Sequence, residues 1–108
     1  MANLFKKAQK TAVTSNIVVY TAPAGQDSII LELDVSNTTA SAITATVKIF
    51  DADTSTHAHV VKNAPIPSGG TLQIISGQKI IVEAGDNVNV EASGACDVIC
   101  SILENVNS

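Results

Sequence analysis

The 108-residue sequence contains no arginine and no tryptophan, and its aromatic residues are one tyrosine and two phenylalanines. With six lysines against ten acids the net charge is −4. That is the wrong sign for a surface that must neutralise phosphates, so nucleic acid is not an expected partner. The scarcity of rings leaves only Phe5, Tyr20 and Phe50 as candidates for a stacking platform, which argues against glycan binding. No apolar run approaches the roughly 18 residues of a membrane-spanning helix, and Met1 to Lys10 carries lysines without the apolar stretch of a secretory signal. A soluble protein made in the cytoplasm, with no membrane partner, is expected. Catalytic recipes are missing too: there is no Gly-x-Ser-x-Gly elbow, no Walker loop and no His-Glu-x-x-His. The expectation is a protein that is not an enzyme and carries no cofactor.

Leucine is scarce as well, at five residues, whereas valine and isoleucine number twelve each and threonine ten. Side chains branched at Cβ favour a pleated, half-buried surface over a helix. For a mass of 11.1 kDa, surface scaling gives roughly 16,000 Å² unfolded and about 5,700 Å² folded, enough for one domain with one core. From Val13 onward, apolar stretches are punctuated by turn formers at Pro23-Ala24-Gly25, Asn37-Thr38-Thr39, Asp51 to Ser55, Pro65 to Gly70, Ser76-Gly77, Gly85-Asp86-Asn87 and Ser93-Gly94. These breaks cut out about eight strands. Alternation puts Ile29, Leu31, Leu33 and Val35 on one face against Glu32 and Asp34, and Ile43, Ala45, Val47 and Ile49 opposite Thr44, Thr46 and Lys48. The predicted fold is all-β, a single-domain antiparallel β-sandwich, with a jelly roll as first topology and an immunoglobulin-like order as second. Lys79 to Val82, Val88 to Val90 and Val98 to Leu103 lose the alternation. A sheet edge, the N-terminal segment or a neighbouring subunit is expected to cover their outer side.

The first twelve residues stand apart. They hold Lys6, Lys7 and Lys10 and no acid, whereas the body has ten acids against Lys48, Lys62 and Lys79. This divides the chain into a basic N-terminal arm, residues 1–12, and a sandwich domain, residues 13–106. Leu4, Phe5 and Ala8 could line one side of a helical turn that is marginal alone and needs a partner. The arm is therefore expected to attach the protein to its neighbours, through the charge of Lys6, Lys7 and Lys10 and the apolar side chains of Leu4 and Phe5. A solvated tail is the bland alternative. Phe50 falls on the polar face of its strand, either as a rim contact against a loop or as an anchor at a subunit interface.

His57-Ala58-His59 is the one metal-like spacing, since i and i+2 on a strand share a side and Asp51 and Asp53 lie across the preceding turn. Zinc wants three or four fixed ligands, so no metal is expected there. Cys96 and Cys100, four residues apart on one extended strand, would have Cα atoms roughly 13 Å apart, against the 4.4 to 6.8 Å of a disulfide. They are read as small apolar core residues in a reducing compartment.

Several segments together carry a resemblance: Tyr20-Thr21-Ala22-Pro23-Ala24-Gly25, Val35-Ser36-Asn37-Thr38-Thr39-Ala40, Val61-Lys62-Asn63-Ala64-Pro65-Ile66-Pro67, Ser76-Gly77-Gln78-Lys79-Ile80, Glu83-Ala84-Gly85-Asp86 and Ser101-Ile102-Leu103-Glu104. In this order and spacing they resemble small virion structural proteins of tailed phages, particularly marine ones. The resemblance implies a non-enzymatic particle component assembled in the host cytoplasm, with other virion proteins as partners. Its first form would be a capsid decoration protein, with a neck, tail or fibre-associated adaptor as the alternative and glycan binding behind both. A homo-oligomer is expected, with a trimer favoured. The resemblance transfers no catalytic residues.

Overall fold

The computed structural model describes residues 4–105. Its eight strands are β1 (Leu4–Val13), β2 (Ile17–Thr21), β3 (Ser28–Asn37), β4 (Ile43–Asp51), β5 (Thr56–Ile66), β6 (Thr71–Val82), β7 (Asn87–Ala92) and β8 (Cys96–Glu104). They form two four-stranded antiparallel sheets, sheet A in the order β1-β8-β3-β6 and sheet B in the order β2-β7-β4-β5. Only β4 and β5 are neighbours both in sequence and in a sheet; every other described connection crosses from one sheet to the other. This is the jelly-roll order, so the immunoglobulin-like alternative falls away.

The two sheets enclose a core in which Leu33, Val35, Val47, Ile75, Val88, Val90, Val98 and Cys100 are fully buried. Each large aliphatic side chain there contributes about 1.5–3 kcal/mol by leaving water. Turn chemistry fixes the crossings. At Pro67 to Gly70 the Gly70 amide donates to the Pro67 carbonyl, and at Glu83 to Asp86 the Asp86 amide donates to Glu83. The third residues, Gly69 and Gly85, sit at φ of 73° and 87°, a backbone shape that glycine adopts without strain.

Three expectations are corrected. The segment set apart as an arm is not separate: from Leu4 it is strand β1, paired antiparallel with β8 from Leu4↔Glu104 to Val13↔Cys96, and not a helical turn. Residues 1–3 and 106 lie outside the described residues. Ten residues with no acid and one isolated apolar cluster gave no sign of a strand, because β1 is exposed at most positions and lacks the alternation that burial imposes. Second, the face assigned in β3 changes partway. Ser28 and Ile30 point inward, then a bulge between Ile30 and Glu32, present against both β6 and β8, resets the phase so that Leu33, Val35 and Asn37 point inward. Ile29 and Leu31 are therefore only half-buried. Third, Ser76-Gly77 ends no strand. Residues 77–79 loop out of β6 between the pairs Glu32↔Ser76 and Ile30↔Ile80. The Gln78 side chain stitches that loop, accepting from the Ser76 amide at 2.9 Å and donating to the Ile74 carbonyl at 2.9 Å. In β4 the expected inner face stands: Ile43, Ala45 and Val47 are buried, and Ile49 packs half-buried against them.

Candidate interaction surface

The outer face of sheet A carries the exposed apolar side chains that the sequence left unassigned. Cys96, Val98, Cys100, Ile102 and Glu104 of β8 are buried, so Ile99, Ser101 and Leu103 face outward. The register then builds rows across the sheet. Phe5 of β1, Leu103 of β8, Ile29 of β3 and Ile81 of β6 form a continuous apolar row. Beside it run Lys7, Ser101, Glu32 and Ser76, then Gln9, Ile99, Asp34 and Gln73. Phe5 is 76% exposed, Ile81 66% and Ile99 49%. Neither β1 nor any other described element covers this face: β1 extends the sheet sideways and leaves its surface open. Phe5 and Ile81 stand exposed at the two ends of the row, with Leu103 and Ile29 half-buried between them, the pattern of an interaction site.

Lys6, expected with Lys7 and Lys10 as a docking charge, makes an ion pair within the molecule and stays half-exposed. Its Nζ lies 3.5 Å from Glu104 Oε1. The Tyr20 hydroxyl donates to Glu104 Oε2 at 2.5 Å and lies 2.9 Å from Ser28 Oγ. A bulge between Val18 and Tyr20 lets Tyr20 of sheet B reach across to sheet A. Burial, and then the adjacent carboxylate, push the phenol above its ordinary range. Tyr20 thus closes one end of the sandwich and is no part of a sugar-stacking platform. Leu4, on the same side of β1 as Lys6, is 52% exposed, and Lys7 and Lys10 are exposed.

Within the second row the charges are opposed in position, with Lys7 on the edge strand and Glu32 on β3. Asp34 lies one row further on. Its Oδ1 is buried without a hydrogen-bond partner, and its pKa is raised to about 6 by burial and by the Glu32 carboxylate.

The remaining candidates lie elsewhere in the fold. Phe50 lies half-buried on the outer face of sheet B, opposite His57 across the β4–β5 pair, with ring centroids 4.9 Å apart. His59 faces Lys48. Asp51 accepts from the Asp53 amide at 2.9 Å and so closes its own turn. Among the described residues no group of three or more histidine, cysteine or acidic side chains converges as metal ligands would. Near this turn the β2–β3, β4–β5 and β6–β7 loops gather acids that hold backbone amides. Asp86 accepts from Ala52 and Glu83, and Asp27 accepts from Ala84. Crowding by Asp53, Asp86, Asp27 and Asp51 raises the pKa of Glu83. A shallow hollow of about 200 Å³ on sheet B is lined by Thr44, Thr46, Asn63, Glu91, Ala92 and Ser93; its lining offers a single carboxylate and no histidine or thiol. Cys96 and Cys100 are free and buried, and burial pushes the Cys100 thiol up to about 12.

Known proteins share this architecture without sharing the sequence. No family model and no curated protein matches the chain. Among solved structures it is similar to the subunit of Bacillus endospore appendages, a family of disulfide-linked pili, at 15% identity and a TM-score of 0.60, over 99% of this chain and 88% of that one. It is also similar to infectious bursal disease virus VP2 in a subviral particle, at 10% identity and a TM-score of 0.56, over 94% of this chain and 32% of that one. The chain from the viral particle itself matches at 8% identity and 0.54, with 94% and 35% covered. The chain therefore spans about a third of the viral proteins' length. At such identities the likeness defines the fold, a jelly roll of the kind found in viral capsid proteins and in a spore appendage.

Proposed function

We propose that the protein is a non-enzymatic virion structural protein, a capsid decoration protein that binds the outer shell of a tailed-phage particle and stabilises it. The observation that carries this reading is a complete eight-stranded jelly roll whose outer sheet face presents an apolar row. The sequence resemblance to phage virion proteins supports it, as does the fold shared with infectious bursal disease virus VP2. Free buried thiols suit assembly in a reducing host cytoplasm. The acidic loop end and the apolar face of sheet A give the subunit two chemically distinct surfaces for assembly.

A neck, tail or fibre-associated subunit is the second reading, favoured by the likeness to a pilus-forming protein of similar length. Those pili are disulfide-linked; here both cysteines lie in the core, so a fibre of this chain would be held by non-covalent contacts. Glycan binding gains nothing from the structure, since Tyr20 is engaged between the sheets and Phe50 is against His57. The test is cryo-electron microscopy of purified particles with antibody labelling of this protein. Density on the outer shell is the expected result, density at the neck or tail selects the second reading, and a protein absent from particles overturns both.

A further inference from the structure

We propose that two copies of this chain pack face to face through the outer surfaces of their sheets A, about a two-fold axis running along β8. Register and charge define this pairing, independently of any virion role. β8 lies between β1 and β3, with Phe5↔Leu103↔Ile29, Lys7↔Ser101↔Glu32 and Gln9↔Ile99↔Asp34 in line. An axis parallel to β8 and midway between two facing sheets carries β8 onto its own copy and β1 onto the partner's β3. Leu103 then meets the partner's Leu103, Ile99 meets the partner's Ile99, and Phe5 covers the partner's Ile29. Lys7 falls on the partner's Glu32 and Gln9 on the partner's Asp34. Each apolar group of β1, β8 and β3 in these rows thus finds an apolar group, Lys7 meets an anion, and an amide lies over the Asp34 carboxyl. The match is made twice, as an isologous contact requires.

An axis half a strand away, between β8 and β3, is the nearest competitor. It would place Phe5 on the partner's Ile81 and Leu103 on the partner's Ile29. It would also set Ile99 against the carboxyl of the partner's Asp34 and Lys7 against the partner's Ser76, burying a charge without a counter-charge. The Lys7–Glu32 pairing therefore favours β8 as the axis; Asp97, outward at the far end of β8, falls on the partner's Asp97 where the crossing of the two sheets opens the contact. Strands related by it run in the same direction, and aligned sheets cross at about 30° some 10 Å apart, so contact is closest near Leu103 and Ser101. Pairing of this kind replaces the trimer expected from the sequence.

Analytical ultracentrifugation of the full chain over a concentration series tests this. The expected species has twice the 11.1 kDa mass of the chain. Ile99→Lys, at a half-exposed position, should give a folded monomer with an unchanged circular dichroism spectrum that melts below the dimer by an amount growing with protein concentration. Lys7→Glu and Glu32→Lys should each weaken the dimer by about tenfold or more through like-charge contact, and the double variant should restore it to within about threefold. Ile81→Ser should leave the dimer intact, because Ile81 lies beyond the partner's β1. A monomeric or trimeric wild-type protein, a double variant without rescue, or an Ile81→Ser variant as weak as Ile99→Lys would each overturn the proposal.

Discussion

Asp34 is held where its charge is unwelcome, half-buried on β3 beside Glu32, with one oxygen shut away from any donor. Its pKa of about 6 in the fold lies above the ordinary 3.8, so the folded state favours the protonated form. The sign follows. The contribution to stability is full below the unfolded value, declines as pH rises towards 6, and above that the fold carries an ionised group at a cost. Asp34→Asn should therefore stabilise the protein at pH 7 by about 1 kcal/mol, a value discounted for solvent screening of a half-exposed side chain, and should change little at pH 4. Urea denaturation at both values checks this; equal effects would locate the strain elsewhere. Tyr20→Phe removes the donor to a Glu104 that is 4% exposed, and the same measurement should show a loss of about 1–3 kcal/mol. Leu33→Asp puts a charge at a fully buried site and should prevent folding, whereas Glu32→Lys, outward and exposed, should shift monomer stability by about 0.5 kcal/mol or less. Leu33 was legible in the sequence because burial is a strong constraint on residue type. The outward turn of Ile29 and Leu31 was not, since a bulge adds a residue without changing composition.

At the scale of elements, the breaks in the sequence predict eight strands through two compensating errors: β1 reads as an arm, and Ser76-Gly77 reads as a break that cuts β6 in two. Both failures have one physical origin: turn residues and polarity report exposure, and an edge strand with open faces or a looped-out triplet is exposed while still hydrogen-bonded. The difference changes what truncation does. An arm would be removed without harm, but deleting Met1 to Lys10 strips most of the partner strand from β8 and opens one edge of the core over Cys100. The truncated protein should lose roughly 2 kcal/mol or more and melt about 10 °C lower, at the usual 4–8 °C per kcal/mol for small domains. A differential scanning calorimetry trace unchanged by the deletion would mean β1 adds nothing to the fold. Turn positions at Pro67 to Gly70 and Glu83 to Asp86 were legible because glycine at positive φ leaves a mark in the sequence. The opposed positions of Lys7 and Glu32 were not, because they depend on which strand pairs with which.

For the whole molecule, two thiols sealed between the sheets predict a simple reactivity pattern. Burial raises the pKa of both, with Asp97 adding to the effect at Cys96 and Asp34 at Cys100, so neither supplies thiolate near neutral pH. A thiol-specific chromogenic reagent should find almost no reactive cysteine in native protein and two after unfolding in guanidinium; rapid native labelling would show that the core opens. The strand order also sets the kinetics of folding. Leu4 pairs with Glu104, so sheet A closes only when its two most distant strands meet, and β4–β5 is the one hairpin among the described strands that neighbours in sequence can form. Folding dominated by such distant pairings is slow for a chain of this size, on the order of milliseconds to seconds. Until β8 pairs, β1 and β3 expose unpaired edges, and at that stage aggregation competes with folding.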